Sequence, residues 1–71
     1  MDSVLIAHVA DSIERISGGE AGNYDATADF ANELLLDNAE VRNAAAAYMA
    51  GTVEEARLDE VVGRAAAKTG K

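Results

Sequence analysis

The sequence predicts an all-α fold, a compact bundle of four short helices over about 3–17, 24–36, 38–50 and 53–68. Three observations predict it. The composition is rich in alanine, the best helix former, and holds no proline, the worst. Apolar residues recur at three- and four-residue spacing in four successive segments. Glycines and capping residues stand between those segments, where helices would stop and start.

In the first segment, Leu5, Ile6, Val9, Ile13 and Ile16 share one face, with His8, Asp11, Glu14 and Arg15 on the other. Asp11 and Arg15 stand at i,i+4 and are expected to pair. Gly18 and Gly19 end the segment, and residues 17–23 read as a flexible loop. The second segment buries Thr27, Phe30, Ala31, Leu34 and Leu35 and turns Asp25, Asp29 and Glu33 outward.

The third opens at Asp37 with Glu40 three residues on, a D-x-x-E relative of the capping box. Its apolar stripe is Val41, Ala44, Ala45, Tyr48 and Met49, and Gly51 closes it. The fourth opens on Thr52-Val53-Glu54-Glu55, a T-x-x-E box. Leu58, Val61, Val62, Ala65 and Ala66 form its buried side, Glu60 and Arg64 pair outside, and the last residues, 69–71, are expected to fray. Val4 and Leu36 fall outside their stripes.

A chain of 71 residues has room for one domain, 1–71. It buries only about 60% of the surface that its unfolded form exposes, so its stability margin is thin. Disulfides and thiolate metal sites are excluded because there is no cysteine, and His8 is the sole histidine. No cofactor is expected. The missing cysteines fit a reducing compartment. No apolar run approaches the roughly 18–20 residues of a membrane span. The opening residues lack the basic start of a signal peptide, so no membrane role and a cytoplasmic location are expected.

Catalytic patterns fail on inspection. His8 lies on the polar flank of helix 1 with Ser12 one turn on, but a helix surface offers no oxyanion donors, and a solvent-facing histidine is expected. Residues 63–69 lack the second glycine of a phosphate-binding loop and continue a helix. No stretch has the alternating oxygen ligands of a calcium loop, and the short helices offer no cleft between paired carboxylates. The chain is therefore read as non-enzymatic.

Charge carries more. Residues 1–35 hold seven acids against Arg15 alone, a balance of −6, and the rest of the chain contributes −1 of the total −7. Asp25, Asp29 and Glu33 stand about 6 Å apart along one helix. Like charges at that spacing destabilise a helix by a few tenths of a kcal/mol per pair, and no cation lies in the segment to offset them. Joined by Asp11 and Glu14, they are expected to form an anionic face.

The function expected is a protein-binding module of adaptor or inhibitor type, with these five acids meeting a basic partner surface as a nucleic-acid backbone would. In charge and size alone, the chain is similar to small acidic inhibitors of nucleic-acid-binding machinery, some of them phage-encoded. It carries no family motif. A solvated face that keeps a small protein soluble, or adaptation to high salt, would leave the same pattern.

Two other classes remain as alternatives. A DNA-binding regulator would present Ala39, Glu40, Arg42 and Asn43 to a groove, aided by Arg57, Arg64 and Lys68. Six cations among thirteen acids make a positive face hard to assemble, so direct nucleic-acid binding is not the favoured reading. A structural subunit would form a homodimer through the alanine flank of helix 3 (Ala39, Ala46, Ala50), unless helix 4 covers it.

Overall fold

The computed structural model describes residues 2–18 and 24–69. Among them stand four helices and no strand: α1 (Ser3–Ile16), α2 (Tyr24–Asp37), α3 (Ala39–Ala50) and α4 (Glu55–Thr69). The predicted boundaries hold to within two residues. Of the predicted flexible loop, only Ser17 and Gly18 are described, as a turn; residues 19–23 lie outside the described residues.

The start of α1 is capped by the Asp2 carboxylate, which accepts from the Val4 N–H at 2.9 Å. At the other end the Ser17 N–H reaches the Ile13 carbonyl at 3.0 Å, and Gly18 takes a φ of 71° that suits a residue without a Cβ.

Both predicted capping boxes are absent, and for the same reason: each capping residue belongs to the preceding helix. α2 runs on through Asp37, so that carboxylate does not serve α3. Asn38 occupies the N-cap position of α3 but makes no side-chain cap bond. Its backbone N–H and its amide Nδ2 both donate to the Leu34 carbonyl, at 3.0 and 3.1 Å, closing α2. The Arg42 guanidinium completes that closure, donating to the carbonyls of Leu35 at 2.7 Å and Leu36 at 3.0 Å.

At the next junction Gly51 adopts φ 81°. Its N–H reaches the Tyr48 carbonyl at 3.1 Å, and the Thr52 N–H reaches that of Ala47 at 2.9 Å. This is the Schellman closure that the glycine predicted. The Thr52 hydroxyl also turns back to the Ala47 carbonyl, at 3.1 Å, instead of capping α4. Helix α4 accordingly begins at Glu55 and not at 53. The Glu54 carbonyl takes the Arg57 N–H at 3.0 Å.

The core comprises Val9, Ala10, Ile13, Ala31, Leu34, Leu35, Val41, Ala45, Leu58, Val61, Val62 and Ala65. Leu5, Ile6, Phe30, Ala44, Tyr48 and Ala66 pack partly against it. Two members of the predicted stripes lie outside: Ile16 is 43% exposed and Met49 45%. Both stand in the last turns of their helices, where they are covered only in part. Val4 and Leu36 are exposed, as their positions predicted. α1 packs chiefly on α2 and then α4, and α3 chiefly on α4. The radius of gyration is 10.7 Å, close to the about 11 Å expected of a folded chain this long.

Candidate functional site

Asp25, Asp29 and Glu33 all lie exposed along one side of α2. The buried residues Thr27, Ala31, Leu34 and Leu35 take the opposite side. Leu36, 56% exposed, follows Glu33 at the end of the same outer stripe. On α1, Asp11 is exposed and Glu14 is half-buried. With Arg15 and Gly18 these two line a shallow surface depression, to which α2 contributes none of its described residues. The structure thus groups the acids as two sets on two neighbouring helices, a row of three and a pair.

Among the described residues, none of the five acids forms an ion pair. The arginines explain why. Arg15 was expected to pair with Asp11, but it crosses to α4, where its Nε and Nη2 donate to the two carboxylate oxygens of Asp59 at 3.1 and 2.9 Å. Its Nη1 lies 3.3 Å from Glu55. A two-pronged guanidinium–carboxylate contact is stronger and more directional than an exposed pair along one helix, so the longer-range partner wins.

Arg57 pairs with Glu60 at 3.2 Å, and Arg64 with Glu40 at 2.7 Å and with Glu60, as predicted, at 3.6 Å. Arg42 holds the α2 carbonyls. All four of these guanidinium groups are therefore bound to acids of the second half or to backbone. None of these four arginines forms an ion pair with Asp11, Glu14, Asp25, Asp29 or Glu33.

The network around Asp59 was not anticipated. The Ser12 hydroxyl, fully buried, donates to Asp59 Oδ1 at 2.5 Å. Burial pushes the Asp59 carboxyl up, but the hydrogen bonds from Arg15 and Ser12 and the charge of Arg15 outweigh it, holding the group below the ordinary aspartate value. The hydrogen bond to Asp59 likewise raises the Arg15 guanidinium above its usual value. These partners are separated by 44 and 47 residues, so no local pattern announces them.

His8 also departs from expectation. It is half-buried, not solvent-facing, and meets the Tyr48 ring edge-on with centroids 5.4 Å apart. Ser12, one turn along, serves Asp59 instead.

No protein family, curated protein or solved structure matches the chain. Among the described residues no three His, Cys, Asp or Glu side chains gather as a metal ion would need. No described helix is long and apolar enough to cross a membrane.

Proposed function

We propose that this chain is a non-enzymatic protein-binding module of adaptor or inhibitor type, whose acidic α1–α2 side docks on a basic protein surface. The observation that supports it is the uneven use of charge. The four arginines named above are engaged elsewhere, while Asp11, Glu14, Asp25, Asp29 and Glu33 form no ion pair with a described cation. Adjacent acids on α2 are about 6 Å apart along the axis, inside the roughly 8 Å screening length of physiological salt. Their fields therefore add.

Imitation of a nucleic-acid backbone is the sharper form of this reading. The α2 row carries one charge per about 6 Å of axis, against one per about 3.4 Å along a DNA strand. The row alone is too sparse, and the α1 pair is needed to approach that density. The reading thus requires both helices.

The test starts with capture of the partner from source cells, followed by association rates across a salt series. Changing Asp25, Asp29 and Glu33 to Asn, Asn and Gln should slow association several-fold at low salt, with the difference shrinking as salt rises. Equal binding by parent and variant at low salt would reduce the acidic side to a solvated surface. A variant that instead gains affinity for DNA, and loses it on changing Arg57, Arg64 or Lys68, would point to the regulator class.

A homodimeric subunit is a second reading, favoured by one observation. Ala39, Ala46 and Ala50 are all exposed, so α4 does not cover that flank of α3. Small side chains let a second helix approach closely, and a dimer would gain stability with concentration. Sedimentation at micromolar concentration separates the two. A monomer with a melting temperature independent of concentration removes this reading.

A further inference from the structure

We draw no further inference here: the strongest candidate, the open groove between α3 and α4 lined by Ala44, Ala47, Val53 and Val61, carries nothing because nothing in the structure shows what covers it.

Discussion

Asp59 accepts three hydrogen bonds from two α1 side chains, and one of those donors, the Ser12 hydroxyl, is fully buried. Truncating Asp59 to alanine would leave that hydroxyl without its acceptor and Arg15 with Glu55 alone. Stranding a buried polar group costs about 1–3 kcal/mol. Asp59→Ala should therefore lower stability by about 1–2 kcal/mol in urea titrations, whereas Asp25→Ala should change it by less than about 0.5 kcal/mol. Because the folded-state value of Asp59 lies below its unfolded one, its contribution is present above the ordinary value near 3.8 and is lost as pH falls through the lower, folded value. Acid unfolding should accordingly be shallower in Asp59→Ala than in the parent below about pH 4. Parallel acid limbs in parent and variant would show that the contact is not ionic in effect. Gly63 makes the opposite kind of case. It is helical, without a positive φ, and a Cβ there would meet only the Ile16 Cδ1, at 3.8 Å. Gly63→Ala should raise stability by about 0.5–1 kcal/mol through helix propensity, seen as a higher melting temperature.

At the scale of the element, α1 to α4 were legible in the sequence because local forces settle them. Period, propensity and glycine stops act within a few residues, and Gly51 shows this most plainly. The caps were less legible because Asp37, Asn38 and Thr52 each stand between two helices that compete for the same residue. In all three the preceding helix wins: Asn38 and Thr52 donate to its orphan carbonyls, and Asp37 is its last residue. Of the acids of α1 and α2, all but the half-buried Glu14 were legible as exposed positions, but the missing pair between Asp11 and Arg15 was not. That depends on where Arg15 goes, and its partner Asp59 lies 44 residues away. Arg42 turns the point into a measurement. Read locally, it offered a base-reading side chain; in the fold it closes α2. Arg42→Gln should cost about 1 kcal/mol of stability, because hydrogen bonds from a charged donor to otherwise unpaired carbonyls are lost. A variant as stable as the parent in urea would free Arg42 for another role.

For the whole molecule, the charge of −7 acts against the compact state as well as towards a partner. Self-repulsion falls as salt screens it, so the parent should melt at a higher temperature in about 0.5 M salt than in 0.02 M. The variant with Asp25→Asn, Asp29→Asn and Glu33→Gln carries −4, since three of the seven net charges are removed. It also loses two like-charge pairs one turn apart, worth about 0.2–0.5 kcal/mol each at low salt. Against that, Asp25 alone of the three acids lies in the first turn of α2, where the helix dipole favours it by about 0.3–1 kcal/mol. The two effects oppose and are of similar size, so the variant's stability at low salt should stay within about 0.5 kcal/mol of the parent. Its melting temperature should rise less with salt, because less repulsion remains to be screened. Circular dichroism melts of both proteins across the salt series measure each slope directly. A variant whose slope equals the parent's would mean that the α2 row does not feel the molecule's charge, and a row so isolated could not steer a basic partner either.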